Sequence, residues 1–265
     1  MCRDALPENA DAWLSLGFAQ QQAGDSAQAL ESIRNAVKHA PDYDIAHFSL
    51  ANLLLKAGDE RAAIISCQNT VGCNPEHGDA WYLLSCLYNS VGNIDKALYG
   101  FQKVLGINPH HLNSLRSKSA ILLAMGKLEE AEQAANCAIS AHPEDGGVYS
   151  GLALIRVGQG KLAEALVLGK QGMELEPGNK DLLIVYAGLL EKDGKYEEAL
   201  EALRPMLESE PPVFSAVMTF VQFAPLIDMR DQAEILVKNL KQASILTRQE
   251  QDTIRQALDW LKNQI

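Results

Sequence analysis

Seven prolines, Pro7, Pro41, Pro75, Pro109, Pro143, Pro177 and Pro211, follow one another at steps of 34 residues. Gly24, Gly58, Gly92, Gly126, Gly160 and Gly194 keep the same step, and so do Ala29, Ala63, Ala97, Ala131, Ala165, Ala199 and Ala233. Three residue types held in one register without an insertion leave the chain little choice. It is a tandem repeat, and each copy is one supersecondary unit that stacks on its neighbours to bury its apolar face.

Residues 78–111 show what the unit is. Trp81, Leu84, Leu87 and Tyr88 fall on one helical stripe. Gly92 follows, where a left-handed residue can stop a helix, and Asn93 can cap the next one. Ala97, Phe101 and Val104 form a second stripe, which Pro109 ends because proline disfavours helical geometry in the residue before it. Small residues, Ser85 and Ala97, stand where two crossing helices must approach closely. The spacing therefore predicts a helix–turn–helix hairpin in each repeat.

The 34-residue hairpin period, with its tryptophan, leucine, glycine, alanine and proline positions, resembles the tetratricopeptide repeat family. Trp13, Leu16, Gly17, Ala29, Ile33, Ala36 and Pro41 match the pattern in the first repeat; Trp81, Leu84, Tyr88, Ala97, Phe101 and Pro109 match it in the third. The likeness is firm over residues 10–213 and weak over 214–245. It implies an all-α, right-handed α-solenoid with a C-terminal capping helix. Repeats are expected at residues 10–43, 44–77, 78–111, 112–145, 146–179, 180–213 and, degenerate, 214–247. Residues 1–9 read as the tail of a partial repeat and 248–265 as the capping helix, with Thr247 and Glu250 at capping-box spacing.

Some repeats depart from the pattern. Lys118 stands where Leu50 and Leu84 sit in earlier copies and is expected to snorkel. Gly151, Gly158, Gly169 and Gly172 lie inside helix patterns, at about 1 kcal/mol each relative to alanine, so the fifth repeat is read as a flexible joint. Pro205 falls inside a helix pattern and is expected to kink it, and Pro225 is expected to bend or end another. Phe214, Val217, Met218, Phe220, Val221, Phe223, Leu226 and Ile227 make that helix apolar nearly all round, which needs cover from both sides.

The net charge of −11 argues against a nucleic-acid partner. No apolar run suffices for a signal peptide or a membrane span. The five cysteines, Cys2, Cys67, Cys73, Cys86 and Cys137, have no paired spacing; most are expected at core or groove positions, and they read as small apolar residues in a reducing, cytoplasmic setting. His39, His47, His77, His110, His111 and His142 are spread over four repeats and read as solvated turn residues. The paired glutamates after Gly126 and Gly194 read as solvated helix starts. The expectation is no enzyme, no cofactor, no metal and no catalytic residue.

In proteins of the resembled family the first helix of each pair lines a binding groove. Mapped onto this sequence, that implies a peptide-binding set of Phe48, Asn52, Leu55, Tyr82, Cys86, Asn89, Asn113 and Arg116. Phe48 and Tyr82 are the expected anchors, Asn52 and Asn89 the backbone contacts, and Arg116 the carboxylate contact. The lysine of the family's carboxylate clamp is missing: the matching positions hold Phe48, Asn52, Leu83, Asn113 and Ser117. The asparagine ladder of the arrays on O-GlcNAc transferase is replaced by Ser15, Ser49, Leu83, Ser117, Gly151, Val185 and Thr219. The implied function is a non-enzymatic scaffold or adaptor binding a peptide or helical segment of a protein partner. The alternative is a substrate-recruiting or regulatory module of a larger glycosyl-, sulfo- or methyltransferase. Homo-oligomers through the N-terminal end or the helix at 214–227 fit either.

Overall fold

A computed structural model describes residues 9–243 and 246–263. Over these the chain is all α-helix, with no strand, and forms the tandem helix–turn–helix repeats of an α-solenoid. The pairs are α1 (Ala10–Gln22) with α2 (Ser26–His39), α3 (Asp44–Lys56) with α4 (Glu60–Cys73), and α5 (Gly78–Ser90) with α6 (Ile94–Ile107). Next come α7 (Leu112–Ala124) with α8 (Leu128–Ala141), α9 (Gly146–Gly158) with α10 (Leu162–Leu175), and α11 (Lys180–Lys192) with α12 (Tyr196–Leu207). Then α13 (Phe214–Phe223) runs into a 3-10 turn (Ala224–Ile227), followed by α14 (Arg230–Ala243) and α15 (Arg248–Lys262). Two compact units are distinguished, one ending at Ile121 and the other beginning at Leu122. The expected stub, with Cys2 and Pro7, lies outside the described residues apart from Asn9.

The repeat register is a packing register. Ala29, Ala63, Ala97, Ala131, Ala165, Ala199 and Ala233 are all fully buried. Opposite them, one first-helix position is Gly17, Ala51, Ser85, Ser119, Ala153, Ala187 or Val221, every one buried. A Cβ on Gly17 would stand 2.6 Å from Ile33 Cγ1, so the helices of this pair meet where only a hydrogen fits.

The turns are equally regular. All six turn glycines have positive φ, from 72° to 85°. After each, the next residue's N–H reaches back six positions inclusive, as from Asn93 to the Tyr88 carbonyl at 2.7 Å and from Asp25 to Gln20 at 2.9 Å. That bond satisfies a carbonyl the helix end would leave unpaired, and it requires the left-handed residue in between. Asp25 and Asp59 then cap the following helix through their side chains, accepting from Gln28 and Ala62 N–H. Asn93 occupies the same position but makes no side-chain cap bond, contrary to expectation.

A second device ties three of the proline turns to the next helix. The indole N–H of Trp81 donates to the Pro75 carbonyl at 2.9 Å, and the Tyr149 hydroxyl donates to Pro143 at 3.0 Å. His47 Nε2 lies 2.8 Å from the Pro41 carbonyl, which fixes the ring proton on that nitrogen. The equivalent Leu115 and Leu183 carry no donor.

In the first unit the core runs through Leu14, Ala29, Ile33 and Leu53, then Leu54, Cys67, Leu84 and Leu87, then Ala97, Phe101 and Ile121. In the second unit Phe220, Phe223, Val237, Leu240, Ile254 and Leu261 share one cluster. Thus α13 is buried on both sides and α15 supplies part of its cover. The apolar side chains of 214–227 are thereby packed within the chain, except Leu226, which is mostly exposed. Pro225 falls in the 3-10 turn that ends α13, and Pro205 sits near the end of α12. Thr247 and Glu250 form the full capping box of α15. Lys118 is half-buried.

The helix glycines of the fifth repeat are packing positions. A Cβ on Gly172 would lie 2.6 Å from the Gly146 carbonyl oxygen and 2.8 Å from Ser150 Oγ, and one on Gly169 would lie 2.5 Å from Leu189 Cδ1. Leu189 thus takes the room that Phe101 fills two repeats earlier. Gly151 alone of the four faces open space.

Candidate functional site

Helices α3, α5 and α7 of the first unit carry the residues singled out by the repeat register. Phe48, Asn52 and Leu55 on α3 are half-buried, as are Tyr82 and Cys86 on α5; Asn89, Asn113 and Arg116 are exposed. Each aromatic ring is backed by a histidine. Phe48 packs on His77 with ring centroids 4.7 Å apart, and Tyr82 packs on His111 at 5.1 Å and on Phe101 at 6.0 Å.

The two histidines also begin the helices. His77 Nδ1 accepts from Ala80 N–H at 3.3 Å; His111 Nδ1 accepts from Ser114 N–H at 3.2 Å and lies 2.8 Å from the Ser114 hydroxyl. Each ring is pinned by the helix N-terminus it caps and then supports an aromatic of the preceding first helix. His47 is buried as well. The reading of all six histidines as solvated turn residues is therefore corrected for His47, His77 and His111. Histidine is not among the preferred capping residues, so the signal available was spacing: His77 and His111 follow Phe48 and Tyr82 at the same offset in successive repeats.

The Tyr82 hydroxyl joins two helices. It lies close to Cys86 on its own helix and to Ser117 on α7, beside the positive charge of Arg116. Burial, then the Cys86 contact, holds the phenol above its ordinary range. Burial likewise pushes the Cys86 thiol up. Asn52 spends one amide N–H on the Phe48 carbonyl at 3.0 Å, which orients its head group and leaves its oxygen to accept. Leu55 packs against the core of Ala51, Leu54 and Cys67. So the fold brings Tyr82, Cys86 and Arg116 together, joins Phe48 to Asn52, and leaves Asn89 and Asn113 in solvent. Ser117 is the contact the sequence reading missed.

The other cysteines divide. Cys67 is buried, with its thiol pushed up to about 12, whereas Cys73 and Cys137 are exposed. Those last two depart from the core or groove positions expected for most of the cysteines. Among the described residues no group of histidine, cysteine and carboxylate side chains could hold a metal ion, and no helix is long and apolar enough to cross a membrane.

A face of first helices with half-buried rings and amides, repeated hairpin by hairpin, defines a binding scaffold of the helical-repeat class. Sequence models of the Tetratricopeptide repeat match residues 16–75, 78–111, 121–171 and 156–217. The chain belongs to the tetratricopeptide repeat family, and its fold is that of a protein-interaction scaffold. No curated protein matches the chain. Among solved structures it is similar to a tetratricopeptide repeat protein from Parabacteroides merdae ATCC 43184, at 18% identity and TM-score 0.80, over 96% of this chain and 99% of that one. It is also similar to YrrB, described as a TPR protein with an unusual peptide-binding site, at 15% identity and TM-score 0.61, over 68% of this chain and 93% of that one. PilF of Pseudomonas aeruginosa matches at 19% identity and TM-score 0.61, over 80% of this chain and 97% of that one. At these identities the likeness is one of fold.

Proposed function

We propose that this protein is a non-catalytic adaptor that holds a peptide or helical segment of a partner protein on the first-helix face of α3, α5 and α7. The observation that carries the reading is the pair of half-buried rings, Phe48 and Tyr82, one repeat apart and each backed by a capping histidine. A ring already held in place loses little entropy when a ligand covers it, so its burial counts almost fully toward binding. Asn52, Asn89 and Asn113 offer amides to a bound backbone, and Arg116 offers a guanidinium to a carboxylate. Leu55 and Cys86 supply the apolar floor between them. The peptide-binding site named for YrrB supports this use of the fold.

The test is a capture experiment from the native lysate with two baits, the wild-type chain and a Phe48→Ala, Tyr82→Ala, Arg116→Ala variant whose helicity and melting are first shown to be cooperative. Partners retained by the wild type and lost by the variant support the assignment. Retention of the same partners by both baits sinks it and moves binding to another face.

A further inference from the structure

A second surface lies in the other unit, at the end of the array. Lys241, Leu246, Gln251, Ile254, Arg255, Leu258, Asp259 and Lys262 line a cleft of about 460 Å³ between α14 and α15. Its floor is apolar: Ile254 is buried, and Leu246 and Leu258 are half-buried. Three of its four charged lining residues are cations, on a chain whose net charge is −11. Two of those cations are lightly engaged. Arg255 leans on Asp252 at 3.6 Å and Lys262 on Asp259 at 3.9 Å, with side chains 75% and 63% exposed. Exposed pairs of that length are weak and easily redirected. Lys262 also feels Glu234 on α14.

We infer that this cleft docks an acidic segment of a partner protein, with an aliphatic side chain on Leu246, Ile254 and Leu258 and flanking carboxylates on Lys241, Arg255 and Lys262. The volume suits one or two such side chains. The rim is open to solvent, and a segment brings its own backbone to cover it. The rest of the acidic surface repels the same segment, so the patch also fixes where it lands. This surface is separate from the face of α3, α5 and α7 and does not depend on it.

The probe is a short fluorescein-labelled peptide of glutamate pairs alternating with leucine, titrated into the full chain and followed by fluorescence anisotropy. Saturable binding that weakens with salt is expected. Peptides with glutamine for glutamate, or without leucine, should bind more weakly. A Lys241→Glu, Arg255→Glu variant, which alters only solvated side chains, should bind about tenfold more weakly. The Phe48→Ala, Tyr82→Ala variant should bind as the wild type does. No saturable binding, equal binding by the charge-reversed variant, or equal binding of the glutamine peptide would overturn the proposal. So would loss of the probe in the Phe48→Ala, Tyr82→Ala variant alone. Displacement of the probe by decanoate that itself binds in a manner sensitive to Lys241→Glu, Arg255→Glu would also overturn it, making a small amphiphile the occupant.

Discussion

The indole N–H of Trp81 donates to the carbonyl of Pro75 at 2.9 Å, tying the turn that closes one repeat to the first helix of the next. Tyr149 and His47 make the same tie with different chemistry, to Pro143 and Pro41. A tryptophan at this position is thus both a packing residue and a latch. Trp81→Phe keeps most of the ring and removes the donor. It should cost about 1 kcal/mol, the net worth of one such hydrogen bond, read as a lower urea midpoint with an unchanged slope. Tyr149→Phe, which removes only the hydroxyl that donates to Pro143, should cost a similar amount.

The glycines of the fifth repeat should respond in opposite directions. Gly151 faces open space within α9, so Gly151→Ala should stabilise by about 0.5–1 kcal/mol through helix propensity. At Gly172 the added methyl meets the Gly146 carbonyl and Ser150, so Gly172→Ala should destabilise by about 1–3 kcal/mol despite the same propensity gain. Thermal unfolding of the two variants decides it. A shift of the same sign in both would show that propensity, and not close packing, governs this repeat.

Glu132 and Arg156 form the most connected charged cluster of the second unit. Arg156 reaches Glu132 at 2.7 Å and Glu164 at 2.9 Å, and Gln159 donates to Glu132 at 2.7 Å. The Arg156 hydrogen bond first, then that of Gln159, lowers the Glu132 carboxyl to about 2. A folded-state value below the ordinary 4.5 means that the ionised form favours the folded state. Its stabilisation is complete above about pH 4.5 and fades as pH falls toward about 2. Glu132→Gln should cost about 1–2 kcal/mol at neutral pH, the low end for a charged hydrogen bond because part of the side chain stays wet. The difference between wild type and variant should shrink in acid denaturation curves across that window.

Thiol labelling should separate the cysteines. Cys73 and Cys137 are exposed, and Cys67 is buried with its thiol held at about 12. In the native protein a disulfide reagent should modify the first two promptly and spare Cys67 until the chain unfolds. Prompt labelling of Cys67, identified by peptide mass, would show that the core between α3, α4 and α5 opens far more readily than its packing implies.

Most of the fold was legible because its determinants recur. The Gly92 turn, the Ala97 contact and the Pro109 stop depend on backbone geometry and side-chain size, and those constraints write the same letters into every repeat. What was hidden depends on side-chain direction. Asn93 has a good capping residue's chemistry yet makes no cap bond, while His77 and His111, poor capping residues by type, make one. The Glu132–Arg156 pair is set by the rotamers of two helices in neighbouring repeats and lies outside the repeat register. The glycines of the fifth repeat looked like lost propensity, because a sequence does not show which positions of one helix touch the backbone of the next. For the candidate site, register alone chose the first-helix residues, but only the structure distinguishes the pinned Phe48 and Tyr82 from the solvated Asn89 and Asn113.

The central claim is that a partner segment lies along α3, α5 and α7. The most direct measurement is site-specific photocrosslinking, with a benzophenone amino acid placed at Asn89 or Asn113 on that face and, in a third protein, at the exposed Tyr99 of α6. The account predicts that the first two positions crosslink the same partner and that competing unlabelled wild-type chain abolishes both products. Capture of that partner from Tyr99, with none from Asn89 or Asn113, would contradict it and place the binding surface on the second helices.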